Sequence, residues 1–213
     1  MEQPRQSTVW MGDFGRDYTD RTTRGVDEMD AMYLDITGFT RSEMNERFLG
    51  DLDRDARILE VGSNIGLQLA LLQKQGFTNL YGIELQPYAV EKAHTLFPSL
   101  NVIQSAATEI PFQSGWFDVV FTAGVLIHIP PTDLPTVIRE MARCSKRYVY
   151  GYEYHANELQ TVNYRGHDEL LWKRDFAAAF VQEAPELTLV KQEVYTRLDN
   201  GMMDSAYLLE KRS

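Results

Sequence analysis

Two glycines and one glutamate carry the clearest chemical signal in this 213-residue chain. Gly62 and Gly66 frame Ser63-Asn64-Ile65 directly after the apolar run Ile58-Leu59-Glu60-Val61, and Glu84 ends a second apolar run 18 residues after Gly66. A buried strand that stops at a glycine turn lets the backbone approach a ligand, and the helix that follows offers the free N–H groups of its first turn. An acidic side chain at the end of the next parallel strand can accept both hydroxyls of a ribose. The pair therefore reads as a nucleoside-binding unit. The dinucleotide fingerprint needs a middle glycine for the pyrophosphate; Asn64 stands there instead, so a pyrophosphate is not the expected guest.

Groups able to move a proton lie further along: His128, His155, His167, Glu153 and several tyrosines. Glu60 is unusual, an acid inside an apolar strand, where it must accept backbone donors or serve a cationic ligand group through water. Arg165, His167, Lys173 and Arg174 form the densest basic group of an acidic chain and suit an anionic ligand. No two histidines lie at i, i+4 and no aspartates have ligand spacing, so no metal is expected.

These residues need a parallel sheet to bring them together. Apolar runs predict strands at 57–61, 80–84, 101–104, 117–122 and 148–152, alternating with helical periods at 66–75, 87–97, 131–143 and 174–183. Pro131 is read as a helix start. Strands at 187–196 and 203–210, with Asn200-Gly201 between them, form a hairpin. Residues 26–50 read as two helices joined at Gly38, and the first 25 as a loop-like arm with at most a short helix. The prediction is a single α/β domain over 1–213, three-layered, with 1–50 forming an N-terminal arm and cap helices.

A hydrophobic content of 44% argues for a globular fold. The net charge of −10 counts against nucleic acid, whose phosphates need a basic footprint. No apolar run approaches the roughly 20 residues of a membrane span, and the start Met1-Glu2-Gln3-Pro4-Arg5 resembles no leader peptide, so a cytoplasmic protein is expected. The lone Cys144 fits a reducing compartment and reads as a buried helix thiol.

Glu-x-Gly-x-x-x-Gly followed by a strand ending in Glu resembles the S-adenosylmethionine site of the class I, Rossmann-like methyltransferases. Thr108-Glu109-Ile110-Pro111-Phe112 with Trp116-Phe117-Asp118-Val119-Val120-Phe121 is similar to the adenine-loop segment of the small-molecule members. More narrowly, Phe14-Gly15-Arg16-Asp17-Tyr18-Thr19-Asp20-Arg21, Gly124-Val125-Leu126-Ile127-His128-Ile129, Tyr164-Arg165-Gly166-His167 and Lys173-Arg174-Asp175-Phe176-Ala177 resemble the pseudaminic-acid-biosynthesis-associated methylase family.

The resemblance implies a seven-stranded, mostly parallel sheet with an antiparallel C-terminal hairpin and an N-terminal helical lid. It implies that S-adenosylmethionine, with S-adenosylhomocysteine as its product, is held by Glu60, Gly62, Asn64, Gly66, Glu84, Leu85, Ala106, Ala107, Thr108 and Thr122. Ala106 departs from the Asp or Ser often found there, which leaves adenine to backbone near Ala107 or to Ser105 or Thr108. His128, Tyr18 and Arg21 are the candidates for catalysis; Tyr152, Glu153, Tyr164, Arg165 and His167 are the candidates for holding the acceptor. For His128, capping of the next helix or bonding to a carbonyl is the competing role. The expected activity is methyl transfer, preferably to oxygen, onto a small anionic metabolite such as a sugar acid or nucleotide sugar, by a monomer or homodimer without nucleic-acid or membrane partners. The alternatives are a polypeptide side chain as acceptor, or a binding protein without turnover.

Overall fold

Four helices precede the first strand in the computed structural model, which describes residues 5–167 and 170–212. They are α1 (Arg5–Met11), α2 (Asp13–Thr22), α3 (Val26–Thr37) and α4 (Arg41–Leu49). The first two correct the expectation of a loop-like arm. Both are too short to show a sustained apolar period, and what fixes them is docking rather than propensity. The Gln86 side chain donates to the carbonyls of Trp10 and Gly12, each at 3.0 Å. Gly15 is buried under this junction, where a Cβ would fall 1.8 Å from the Trp10 carbonyl oxygen. The α3–α4 pair meets its expected turn: Gly38 takes φ 80 and closes α3, and Thr40 with Glu43 forms a capping box for α4.

The alternating part follows as β1 (Arg57–Val61), α5 (Leu67–Lys74), β2 (Asn79–Glu84), α6 (Pro87–Leu96), β3 (Asn101–Gln104) and β4 (Phe117–Ala123). A 3₁₀ turn (Leu126–His128) then leads to α7 (Leu134–Cys144) and β5 (Ser145–His155). A small ribbon of β6 (Gln160–Thr161) and β7 (Trp172–Lys173), α8 (Phe176–Glu183), β8 (Leu187–Thr196) and β9 (Met203–Lys211) complete the chain. The seven-stranded sheet has the order β3-β2-β1-β4-β5-β9-β8; β3 to β5 pair in parallel, and β9 is antiparallel to both neighbours. This is the expected fold. The order reverses between β1 and β4, and at such a switch point the connections leave to opposite faces and open a crevice.

Some boundaries differ. The helix expected from Pro131 begins at Leu134 with Pro135 in its first turn, because the Pro130 carbonyl is already taken by Asp133 and Leu134 N–H groups. β5 is longer than expected at both ends, since Ser145 already pairs with Phe117 of β4 and β9 continues the pairing to His155. The β6–β7 ribbon had no signal in its sequence.

Alternate residues of the central strands fill two cores. Leu59, Val120 and Val149 pack with α7 and α8 residues, while Ile58, Val119, Phe121 and Tyr150 pack with α4 and α5. Arg41 lies fully buried in the second core; its Nη1 donates to the Tyr150 hydroxyl at 2.9 Å and its Nε to Gln68 at 3.0 Å. Because β9 returns antiparallel, β8 runs the same way as β5. The C-terminal ends of β1, β2, β4, β5 and β8 therefore share one edge of the sheet.

Tyr207 of β9 lies across Gly151 of β5, its ring carbon 2.2 Å from where a Cβ would stand. We expect Gly151→Ala to cost about 1–3 kcal/mol through overpacking, read as a lower urea midpoint at unchanged slope. Adding Tyr207→Leu to the same chain should recover most of the loss.

Candidate functional site

Three residues of the β1–α5 turn adopt left-handed backbone: Gly62 at φ 76, Asn64 at φ 48 and Gly66 at φ 79. The turn folds back onto β2, with Gly62 and Ser63 N–H groups both donating to the Ile83 carbonyl, at 2.8 and 2.9 Å. Glu84 is the next residue. One of its carboxylate oxygens accepts the Asn64 N–H and the other the Gln86 N–H, both at 2.8 Å. Burial raises the Glu84 pKa, and those two N–H bonds oppose the shift. A side chain at Gly62 would meet the Val125 methyls at 2.7 Å, so the turn is packed against the loop after β4.

Around this turn three buried polar atoms have no partner: Glu60 Oε2, Ser63 Oγ and Asn64 Oδ1. Unsatisfied buried acceptors are costly, and a ligand is what would relieve them. Burial pushes the Glu60 carboxyl well up; Arg41 acts against that and Glu84 adds to it. A cationic group beside Glu60 would stabilise its charged form.

The crevice is a cavity of about 440 Å³. It runs from Glu84, Leu85 and the Ser105-Ala106-Ala107-Thr108 loop, past Gly62 and Asn64, to His128, Tyr152, Glu153, Tyr154 and Tyr164. Gln6, Trp10, Tyr18 and Thr22 of the arm line it from above. Besides the Gln86 clasp, Asp20 of the arm accepts from Tyr88 Oη at 2.8 Å and Lys92 Nζ at 2.7 Å, while Arg16 stacks on Tyr88 at 4.3 Å.

His128 is held from several sides. Its Nδ1 is 2.6 Å from the Leu170 carbonyl, which can only accept, so Nδ1 carries the proton and Nε2 keeps its lone pair. The ring lies 4.7 Å from Trp10 and 5.1 Å from Tyr164, and the Gln6 side-chain amide donates to the His128 carbonyl. Burial lowers its pKa to about 4, the bond to Leu170 opposing. Tyr18 is shifted upward by burial, so its phenol stays protonated and can donate.

Other expected residues are placed differently. Glu153 lines the cavity, but its Oε1 accepts the Thr122 hydroxyl at 2.9 Å and the Val125 and Leu126 N–H groups at 3.1 and 3.2 Å, with Ile127 N–H at 3.4 Å from Oε2. Its carboxylate fixes the turn that carries His128, and burial pushes its pKa up to about 7. Thr122 is fully buried behind it, and Gly66 shapes the turn without lining the cavity. Arg21 is exposed, 5.8 Å from the Tyr18 ring centroid and outside the lining. Arg165 and His167 are also exposed; His167 packs edge-on against Phe14 at 5.6 Å. None of the basic group Arg165, His167, Lys173 and Arg174 lines the cavity.

The lining cations are instead Arg24 and Arg197, beside Met29, Met32, Tyr33 and Ile36 of α3. Sequence reading passed over Arg197 because one arginine near a hairpin turn looks like any surface cation. Among the described residues no group of three or more His, Cys, Asp or Glu could hold a metal ion, and no helix is long and apolar enough to cross a membrane.

Residues 59–150 match the family model described as a methyltransferase domain. A methyltransferase of Synechocystis sp. is 28% identical over 90 residues, spanning 42% of this chain and 42% of that protein. The chain spans less than half the length of the curated relatives it matches. Among solved structures, the Burkholderia thailandensis 1,6-didemethyltoxoflavin N1-methyltransferase, with that compound and S-adenosylhomocysteine bound, superposes with a TM-score of 0.74 at 18% identity, covering 100% of this chain and 92% of its own. The [4+2]-cyclase SpnF superposes at 0.64 with 15% identity, covering 80% and 79%. Residues 59–150 are thus similar to a methyltransferase domain, and the solved structures share the Rossmann-like fold. The second neighbour is a reminder that this fold alone does not set the chemistry.

His128 should stay neutral through the usual histidine range and titrate only near pH 4. Its folded pKa is below the unfolded one, so on acidification the unfolded chain gains the proton first and this residue's share of stability falls between about pH 6.5 and 4. Nitrogen NMR of the imidazole should find the Nδ1–H tautomer at pH 6; a midpoint near 6.5 would contradict the buried, carbonyl-bonded ring.

Proposed function

We propose that the protein is an S-adenosylmethionine-dependent methyltransferase acting on an oxygen of a small anionic metabolite, of the sugar-acid or nucleotide-sugar kind. The observation that carries the cofactor assignment is the Glu84 carboxylate, fixed by two backbone N–H groups beside three unpartnered buried acceptors. Each Glu84 oxygen has lone pairs left for a ribose hydroxyl. Glu60 Oε2 suits the ammonium of the methionine part, and Ser63 and Asn64 its polar surroundings. The adenine side falls to Leu85 and the Ala106-Ala107-Thr108 loop, which line the cavity.

S-adenosylmethionine, held by Glu84, Glu60 and the Gly62–Gly66 turn, would supply an electrophilic methyl group, and His128 Nε2 would take the proton that the acceptor hydroxyl gives up. The protein's part is alignment and exclusion of water. Trp10, Gln6 and Tyr18 cover the cavity, and Tyr18, kept protonated, can donate to the acceptor oxygen. The Glu153 carboxylate holds the 3₁₀ turn that carries His128, a residue of the cavity lining. With its low pKa, His128 is a weak base that is always in its receiving form at neutral pH, which suits a proton removed during transfer rather than before it. A cavity covered by the arm favours a small acceptor over a polypeptide side chain. The narrower likeness to pseudaminic-acid-associated methylases points the same way.

Removing the ribose acceptor should cost two charge-assisted hydrogen bonds, about 3 kcal/mol or roughly 100-fold in affinity. We expect Glu84→Ala to weaken S-adenosylhomocysteine binding to that extent in calorimetry; retained affinity would refute the site. With methyl-labelled cofactor and a metabolite extract, the wild type should yield a labelled small molecule. Label in polypeptide would favour the other acceptor class, and no label a binding protein. For that product, His128→Gln should lower kcat by about 10²–10⁴ while leaving S-adenosylhomocysteine affinity unchanged.

A further inference from the structure

Arg24 and Arg197 come from opposite ends of the chain and both line the cavity. Arg24 follows α2; its Nε donates to the Thr22 carbonyl at 3.3 Å and its Nη1 rests against Met32 Sδ. Arg197 follows β8, and its neighbour Leu198 donates its N–H to the Ile36 carbonyl at 2.8 Å. Met32 and Ile36 are four residues apart on α3, just over one turn or about 6 Å along the axis. The Arg24 guanidinium and the backbone beside Arg197 are thus tied to neighbouring turns of the same helix, and both arginines line the cavity.

Their charges are managed differently. Among the described residues no carboxylate pairs with Arg24. Arg197 is anchored: its Nε donates to Asp204 Oδ2 at 2.8 Å, that same oxygen accepts the Tyr152 hydroxyl at 2.7 Å, and the guanidinium stacks on Tyr154 at 4.6 Å. Asp204 is fully buried, so the anchor is rigid. An arginine held through Nε can still present its Nη edge to a second oxyanion. The lining carboxylates stand elsewhere, Glu60 and Glu84 at β1 and β2, Glu153 and Asp133 beside the His128 turn.

We infer that Arg24 and Arg197 are the specificity-determining residues for a carboxylate on the acceptor, which is a ring-bearing hydroxy acid. This rests on the methyltransferase reading above and deepens it. The carboxylate is held at the α3 wall, the ring lies against Tyr33, Tyr152 and Tyr154, and a hydroxyl on the far side reaches His128. Tyr33 and Tyr152 meet edge to face at 5.4 Å, which gives the ring a shaped apolar seat.

The test uses the full chain saturated with S-adenosylhomocysteine and matched probes: glucuronate against glucose, 4-hydroxybenzoate against 4-hydroxybenzyl alcohol, and glucose 6-phosphate. Calorimetry and thermal shift should favour at least one carboxylate over its neutral partner by 10-fold or more. Arg24→Gln should cut that preference about 10-fold, the loss of one charge-assisted bond of roughly 1.5 kcal/mol. Arg197→Gln alone strands a buried Asp204, so it is made together with Asp204→Asn; this double variant should lose the preference while binding S-adenosylhomocysteine normally. No carboxylate preference, a preference surviving both variants, or a stronger response to the phosphate ester overturns the proposal. Failure of the wild type to bind S-adenosylhomocysteine is a separate result that removes the cofactor reading beneath it.

Discussion

Everything in the crevice depends on how the Glu84 carboxylate is held. One carboxylate ties two loops together, accepting Asn64 N–H from the turn after β1 and Gln86 N–H from the start of α6. Both are backbone donors, so the oxygens are fixed without relying on another side chain's rotamer. The cost is desolvation of a charge, seen in its upward pKa, and the two N–H bonds offset part of it. Gln86 then extends the same unit: its N–H serves Glu84 while its side-chain amide grips Trp10 and Gly12. Glu84 is thereby linked, two positions on, to the residue that seats the arm.

A second buried carboxylate does an analogous job on the other side of the switch point. Glu153 lies near the C-terminal end of β5, yet its oxygens serve Thr122 and three consecutive N–H groups of the loop after β4. That loop has no long helix to stabilise it, and without Glu153 its free N–H groups would be buried and unpaired. The consequence is a rigid His128 at the junction of arm, β4 and β7. The two glutamates explain why an acidic protein spends charge inside its core.

Much of this is legible in the amino-acid sequence. Gly62, Gly66 and Glu84 declare themselves because their conformations and positions need particular residue types, and the alternation of strand and helix periods leaves few topologies. The 3₁₀ turn and the role of Glu153 were not legible, since a glutamate among tyrosines on a strand looks the same whether it faces a ligand or caps a neighbouring loop. The helices of the arm were hidden for a related reason: Gly12, Gly15 and several threonines lower intrinsic helix propensity, and only the Gln86 clasp and the packing of Trp10 make up the difference. Basic density misled as well. Arg165 and His167 drew notice by clustering, whereas Arg24 and Arg197 converge only after α3 and the β8–β9 hairpin have packed.

That contrast follows from how the crevice is built. The half of the crevice around Glu84 comes from one stretch, β1 through β2, so its residues keep a fixed sequence spacing imposed by a single βαβ unit. The opposite wall takes Arg24 from the arm, Tyr33 from α3, Tyr152 from β5 and Arg197 from β8. Their spacings depend on loop lengths that the fold leaves free, and no local constraint sets the identity of any one of them. Substitutions there can alter which ligand fits without disturbing the Glu84 clamp, because the two halves share the cavity but few hydrogen bonds. A chain organised this way shows one half of its crevice in a short motif and the other half only in three dimensions.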